Sequence, residues 1–231
     1  MSILNLVSDV LLKPYFDEKL RALKYEKYFE YAGRLLAGDD AQKARKGLGI
    51  LAELARNYPY RTQDIIDEIC SFIKTRWSKE RSYDEAWNGV LHSGLRILAG
   101  LPKKDHNQHP YYVELTQIRI RNMDLKGTNF EELVLWGSEF IRVNMTRSNF
   151  RGADLGGCIF SDETSVEWCD FSHALMNYSF LDKVCTTFDR ARLWGSRFED
   201  ARIERCIMVI SDGFDATDLK AKLGEHLELK G

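Results

Sequence analysis

The sequence predicts an α+β chain in two parts: an all-α N-terminal domain followed by a β-solenoid built on a five-residue repeat. Three observations carry this. Up to residue 100 the apolar residues recur at helical spacing. From Leu115 they recur every fifth residue: Leu115, Ile120, Leu125, Phe130, Leu135, Phe140, Met145, Phe150, Leu155 and Phe160. With 44% hydrophobic residues in the chain, ten such hits in one phase have a chance of roughly 3 in 10,000. Between the two patterns lies "LPKKDHNQHPYY", residues 101–112, polar and carrying prolines at both sides, which reads as a linker. The expected division is therefore a helical domain at 1–100, a linker at 101–112, the repeat at 113–210 and a C-terminal cap or tail at 211–231.

In the N-terminal part, "PYFDEKLRALKYEKYFEYAGRLLAG" carries Tyr15, Phe16, Leu20, Leu23, Phe29, Ala32, Leu35 and Leu36. That is a broad amphipathic stripe, opened by Pro14 and closed by Gly38. Asp39 or Asp40 can cap the next helix, "AQKARKGLGILAELARNY". Thr62 is a second N-cap candidate, for "TQDIIDEICSFIKTRW". A fourth helix, "SYDEAWNGVLHSGLRILAG", starts from Ser82 and ends at Gly100. Aromatic residues at this spacing, such as Tyr25, Phe29 and Phe72, read as core.

In the repeat, one extra residue after Phe160 shifts the phase to Val166, Phe171 and Met176. The series returns at Phe188, Leu193, Phe198, Ile203 and Met208. Between 176 and 188 the register stays open, with Phe180 or Leu181 as the central residue. Two positions before each centre sits a small or slender side chain, among them Thr128, Ser138, Val143, Ser148, Ala153, Cys158, Cys169 and Ala174. Two positions after it, glycine recurs at 127, 137, 152, 157 and 195, as a type II turn needing positive φ would demand. A turn every five residues points the centre and the small residue inward, and stacking of successive turns pairs the backbone.

The units "ADLGG" (153–157), "SNFRG" (148–152) and "TNFEE" (128–132) resemble the pentapeptide-repeat family, whose units read roughly A-[DN]-[LF]-x-x. The resemblance covers about residues 113–210. It implies an all-β right-handed quadrilateral β-helix, four units to a coil and about five coils here. The segment "ARKGLGILAELARNYPYRTQDIIDEICSFI", with "AWNGVLHSGLRIL", resembles the helical module that precedes the repeats in many bacterial members. Relatives with that module often carry membrane helices; this sequence contains no run of about 20 apolar residues. In the tail, Phe214 and Leu219 fit one more unit, and Leu219, Leu223 and Leu227 suit a short closing helix. In related proteins this end can be a dimer contact, so the resemblance implies a homodimer through the C-terminal end.

Four units to a coil place every fourth unit on one face. One face then holds Leu115, Leu135, Leu155, Met176 and Phe198; the next holds Ile120, Phe140, Phe160, Leu181 and Ile203. Outward-pointing neighbours on these two faces include Val134, Trp136, Leu175 and Tyr178, and Ile141, Ile159 and Phe180. Apolar side chains in such places call for a cover, either the helices folding back or another protein. These seven are the candidate partner-binding or interdomain residues.

Chemistry is sparse. There is no P-loop, G-x-S-x-G, H-E-x-x-H or dinucleotide glycine fingerprint. Asp105, His106 and His109 offer too few ligands for a metal and read as solvated linker. Cys158, Cys169 and Cys206 take the small inward slot, and Cys185 lies close to it, so they read as packing. No catalytic, cofactor or metal residues are expected. Five cysteines without C-x-x-C fit a reducing, cytoplasmic setting. The N-terminal "MSILNLVSDVLLKPYF" lacks a basic start and is interrupted by Asp9, against a signal peptide. The expected function is a non-catalytic protein–protein interaction or scaffold module. One alternative is a DNA-mimicking binder of type II topoisomerase, as in the quinolone-resistance members; another is an enzyme with an interdomain pocket. The whole chain carries a formal charge of −2. Residues 113–231 hold 15 basic and 20 acidic residues, a weak −5 with the arginines interleaved, which fits neither DNA mimicry nor nucleic-acid binding.

Overall fold

The computed structural model describes residues 13–78 and 87–176, Phe198, and strands at 187–189, 202–203, 206–209 and 227–230. The chain divides into two compact units, Met1–Ile65 and Ile66–Gly231. That division falls inside a helix, upstream of the 101–112 segment that the sequence offers as linker.

In the first unit, α1 (Lys13–Ala37) and α2 (Ala41–Asn57) form a hairpin. Asp40 is the N-cap: its carboxylate accepts the amide N–H groups of Gln42 and Lys43 at 2.9 and 3.0 Å, which decides between the two candidate aspartates. Tyr25, Ala32 and Leu36 of α1 and Ala44, Leu48 and Leu51 of α2 are buried. Leu20 and Leu23 are 53% and 61% exposed, contrary to the expected continuous stripe. The cause is angular: at about 100° per residue, Leu20 and Leu23 stand roughly 140° and 160° around α1 from Tyr25, off the buried line of Tyr25, Ala32 and Leu36. The expected role of Thr62 is also corrected. A 3₁₀ turn, Pro59–Arg61, runs straight into α3 (Thr62–Arg76), and the Thr62 hydroxyl donates back to the Pro59 carbonyl at 2.7 Å, leaving no cap for it to make.

α3 continues into the second unit, where its Ile69 and Ile73 pack against α4 (Asn88–Gly100). A Cβ on Gly94 would stand 3.1 Å from Ile73 Cδ1, so glycine permits the close approach. The Ser82 start lies outside the described residues; the end at Gly100 is as expected. Phe72, Trp77 and Trp87 cluster at the base, with the Arg76 guanidinium 3.4 Å from the Trp87 ring centroid. Residues 103–111 are not an open linker but a small hairpin: Lys104 bridges Pro110, and the Tyr111 amide donates to the Lys103 carbonyl at 2.9 Å.

The repeat follows as a β-solenoid. Strands β1 (Arg119–Arg121), β2 (Glu139–Ile141) and β3 (Ile159–Ser161) pair in parallel with a register of 20 residues. Three further ladders run beside them: Glu114–Val134–Asp154–Leu175, Asp124–Asn144–Ser165 and Asn129–Asn149–Asp170. Across Asp162 and Glu163, both at positive φ, the register grows to 21, which locates the extra residue. Every central residue from Leu115 to Met176 is buried, at 0–1% exposure. Phe130, Phe150, Phe171 and Phe198 form a stack with centroid spacings of 4.7, 4.9 and 5.0 Å and planes within 11°.

The small slot has a polar function as well as a steric one. Ser138, Ser148, Cys158 and Cys169 donate to the carbonyls of Leu115, Leu125, Leu135 and Met145, each one turn earlier, at 3.0–3.1 Å. In the first turn the equivalent residues have no earlier turn to bond; three of the four, Val113, Ile118 and Met123, are large, apolar and buried, and the fourth is the buried Thr128. The helices close this end. Ser78 bridges Ile118, the Arg119 amide donates to the Trp77 carbonyl at 2.7 Å, and Lys74 pairs with Glu114 at 2.7 Å.

Beyond Met176 the face assignment needs correction. β5 (Thr187–Asp189) pairs with β3 at a register of 28, Phe188 over Phe160. β4 (Leu175–Met176) pairs with β6 (Arg202–Ile203) at 27. Ile203 therefore belongs with Met176, and Phe198 with Phe171; each had been expected one face further on. Of the eight surplus residues between β3 and β5, one is the extra residue at Asp162 and Glu163; the other seven, equal to the surplus between β4 and β6, fall in the stretch whose register the sequence left open. β7 (Cys206–Val209) follows β5, and β8 (Leu227–Lys230) pairs with it in parallel. Leu227, expected in a closing helix, is thus in a strand; Leu219 and Leu223 lie outside the described residues. The six-stranded order is β1-β2-β3-β5-β7-β8.

Candidate functional site

The four ladders give the solenoid four rows of outward residues. On two of them, the row of Asp124 and Asn144 and the row of Asn129, Asn149 and Asp170, the residue before each centre is short and polar. In five of these units its Oδ1 accepts the amide N–H two residues on, at 3.0–3.1 Å: Lys126, Thr146, Glu131, Arg151 and Ser172 are the donors. This is the physical content of Asp or Asn in the repeat. The side chain closes its own turn, holding the left-handed residue that follows, as at Gly127, Arg147 and Gly152.

The other two rows break the pattern. On the Glu114 row and the Arg119 row, the same position holds Glu114, Val134, Asp154 and Leu175, and Arg119, Glu139 and Ile159. Asp154 alone among these keeps the short cap, to the Gly156 amide at 3.0 Å. The described candidates all fall here: Val134, Trp136 and Leu175 on one row and its border, Ile141 and Ile159 on the next. Each is half-buried, the ordinary state of an outward position, since Asn129, Asn144 and Asn149 are half-buried too. They do not form an unbroken stripe: Asp154 stands between Val134 and Leu175, Glu139 beside Ile159, and Arg121 opposite Ile141. Tyr178 and Phe180 lie outside the described residues. Among the described residues, the contacts that α3 and α4 make with the solenoid are at its first turn.

Most charges on these rows are matched. Glu114 takes Lys74 and the Thr116 hydroxyl, which hold its carboxyl below the usual range, the Lys74 hydrogen bond most of all. Arg119 pairs with Glu139, and Arg142 with Asp162 and the Asn122 side chain. Arg121, half-buried, makes no ion pair or hydrogen bond among the described residues, and its Nε is sealed from water. Sequence reasoning counted this arginine only as one of many; its position opposite Ile141 required the register.

A cavity of about 360 Å³ opens between α4 and the first turn, lined by Asn88, Gly89, His92, Met123, Asp124 and Lys126. No hydroxyl or thiol nucleophile lines it, and the Asp124 carboxylate is engaged by the Lys126 amide. Burial pushes the Cys70 and Cys169 thiols up to about 12, far from the thiolate that nucleophilic chemistry needs. Asp105 accepts the amides of Asn107 and His109 and so serves its hairpin. Among the described residues no three His, Cys, Asp or Glu side chains are grouped to hold a metal.

A family model described as pentapeptide repeats matches residues 124–162 in eight copies. Residues 124–162 are thus a run of pentapeptide repeats. Solved structures of pentapeptide-repeat proteins are similar at low identity. Protein alr5209 from Nostoc PCC 7120 is 20% identical, over 51% of this chain and 84% of that one, with a TM-score of 0.29. Rfr23 from the cyanobacterium Cyanothece 51142 is 15% identical over 41% and 65%, TM-score 0.21. QnrB1, a plasmid-mediated fluoroquinolone resistance protein, is 12% identical over 52% and 78%, TM-score 0.27. At these values nothing carries over from them to this chain. No curated protein matches.

Proposed function

We propose that this pentapeptide-repeat protein is a non-catalytic interaction or scaffold module, a right-handed quadrilateral coil of about five turns that binds another protein along two adjacent faces. The observation that supports it is the contrast between rows. Two rows use Asp or Asn to close their own turns. The other two keep that hydrogen bond at Asp154; elsewhere they give it up, at about 0.5–1.5 kcal/mol each, and carry Val134, Ile159 and Leu175, with Trp136 and Ile141 beside them. Within the fold alone this loses stability. It is accounted for if a partner covers these side chains, at about 25 cal/mol per Å² of apolar surface removed from water. Tyr178 and Phe180 join the proposed surface on sequence grounds. Three buried free thiols, Cys70, Cys158 and Cys169, suit a cytoplasmic setting. No helix among the described residues is long and apolar enough to cross a membrane. β8, at the end of the sheet order, is where a second copy would dock.

The test is affinity purification of the full chain from its native host, followed by mass spectrometry. The double variant Trp136→Glu, Ile141→Glu should lose the co-purifying partner, and Asn149→Ala on the opposite rows should keep it. A partner indifferent to both variants would refute the face. A supercoiling assay with purified protein and type II topoisomerase is expected to show neither inhibition nor protection, because Arg119, Arg121, Arg142, Arg147 and Arg151 interrupt any acidic surface.

A further inference from the structure

The buried line of α1, through Tyr25, Ala32 and Leu36, is the side that meets α2, where Gly47 comes close to the Ala32 carbonyl. Leu20 and Leu23 stand on the far side, 53% and 61% exposed. At about 100° per residue, Phe16 falls on that far side by its place in the helix. Beyond Leu23 the same side turns charged, with Lys27, Glu30 and Arg34 all exposed and Glu30 paired to Arg34 at 3.9 Å. The apolar part is thus confined to the first turns of α1, next to the residues that precede the helix.

Those residues carry a matching pattern. In 2–12, Ile3, Leu6 and Val10 recur at helical spacing, Leu4, Val7 and Leu11 widen the stripe, and Asn5, Ser8 and Asp9 fall on the other side. The two stripes mirror each other about residue 13. Ile3 and Leu23, Leu6 and Leu20, and Val10 and Phe16 are equidistant pairs. An antiparallel helix hairpin folded at Leu11–Lys13 sets each pair side by side. Such hairpins need a short connection, and the α1–α2 hairpin has one of the same length. The reach agrees as well: residues 3–12 as a helix and the stretch from Lys13 to Leu23 each span about 15 Å.

We infer that residues 2–12 are a strap that folds back as a helix along α1 and covers its leucine side, Ile3 on Leu23, Leu6 on Leu20 and Val10 on Phe16. Removing these side chains from water is the driving force. A helix this short is marginal in water on its own, so the strap's helix and the cover form together and are lost together. Its release bares an apolar stripe at this end of the helical unit.

The experiment introduces Ile3→Cys with Leu23→Cys into the full chain, oxidises it mildly and maps the bridged peptides by mass spectrometry. A bridge is expected at monomer mass, in at least tenfold higher yield than for Ile3→Cys with Arg34→Cys, which lies on the same side but further along. Amide hydrogen exchange supplies the second measurement. Protection of residues 3–10 should fall at least tenfold in the double variant Leu20→Asp, Leu23→Asp, while protection of α2 stays the same and shows that the hairpin is intact. A bridge found only at dimer mass would make a second copy the occupant and overturn the strap. Protection gained only with anionic lipid vesicles would make a membrane surface the occupant and overturn it equally. So would equal yields from the two cysteine pairs, residues 3–10 unprotected in the wild type, or protection indifferent to the aspartates. The interaction-module reading concerns other residues and stands or falls separately.

Discussion

The α1–α2 hairpin and the β-solenoid solve the same problem, burying apolar side chains while satisfying the backbone, with opposite uses of the same residues. In the hairpin, one helical face is buried and glycine serves proximity: a Cβ on Gly47 would meet the Ala32 carbonyl oxygen at 3.0 Å and the Leu35 and Leu36 side chains at 3.2 Å. In the solenoid, two residues of every five are buried and glycine serves conformation: Gly127 has φ of +67° with open space where its Cβ would be. The hairpin closes its start with one aspartate, Asp40. The solenoid repeats that device at turn after turn, with asparagine at 129, 144 and 149 and aspartate at 124, 154 and 170. Local rules are therefore redundant in the solenoid and single-copy in the hairpin, so the two regions should respond differently to the same kind of change.

The largest expected effect is in the solenoid interior. Phe150 is fully buried, stacked between Phe130 and Phe171 and edge-on to Phe160. Phe150→Ala should cost about 3–5 kcal/mol, read by chemical denaturation. A loss under about 1 kcal/mol would mean that the stack is not the core. The hairpin counterpart is smaller. Gly47→Ala forces a methyl against backbone that cannot retreat and should cost about 1–3 kcal/mol of overpacking. Two residues on, Gly49 meets nothing within 4 Å, and Gly49→Ala should stabilise by about 1 kcal/mol through helix propensity.

The contrast extends to pH. The Asp40 carboxyl is held below its usual value of 3.8, first by the hydrogen bond from the Lys43 amide. A lowered folded-state value means stability that is complete above the ordinary carboxylate range and lost as pH falls through the lowered one. Asn129, Asn144 and Asn149 do the same work in the solenoid without titrating. Helical ellipticity on melting should therefore decline on acidification less steeply in Asp40→Asn, which keeps a capping oxygen, than in the wild type. Equal slopes would show that the cap is not what the acid attacks.

What the sequence made legible follows from the same contrast. The centres Leu115 to Met176 were readable because a period of five has no other source, and the extra residue near 162 because it shifts that period by one. The seven surplus residues between Met176 and Phe188 were not, because an insertion leaves the phase of either flank intact and hides its own length; Phe198 and Ile203 were misplaced by one face for that reason. The bonding of Ser138, Ser148 and Cys158 to carbonyls one turn earlier was invisible to an analysis of side-chain size. Trp136 and Ile141 were legible as outward and apolar; that Arg121 stands opposite Ile141, and that Asp154 and Glu139 interrupt the rows, needed the ladders. In the hairpin, Leu20 and Leu23 were counted into a broad stripe, but the buried line through Tyr25, Ala32 and Leu36 lies on the other side of α1.

The smallest expected effect tests whether glycine really differs in meaning between the two regions. Gly127 and Arg147 hold the same place in successive turns, with φ of +67° and +63°. An L-residue there sits in the left-handed region at about 1–2 kcal/mol above its preferred one, while glycine carries about 0.5–1 kcal/mol more conformational entropy into the unfolded chain. The two terms leave Arg147→Gly stabilising by about 0.5 kcal/mol and Gly127→Ala destabilising by about as much, both measurable from denaturation midpoints at unchanged slope. Gly49→Ala in the hairpin should move the other way, so one substitution, glycine to alanine, takes opposite signs in one molecule. If Gly127→Ala instead proved neutral or stabilising, the turns would be tolerant of side chains for a reason other than their dihedral angles, and the short caps at Asp124 and Asn144 would have to account for it.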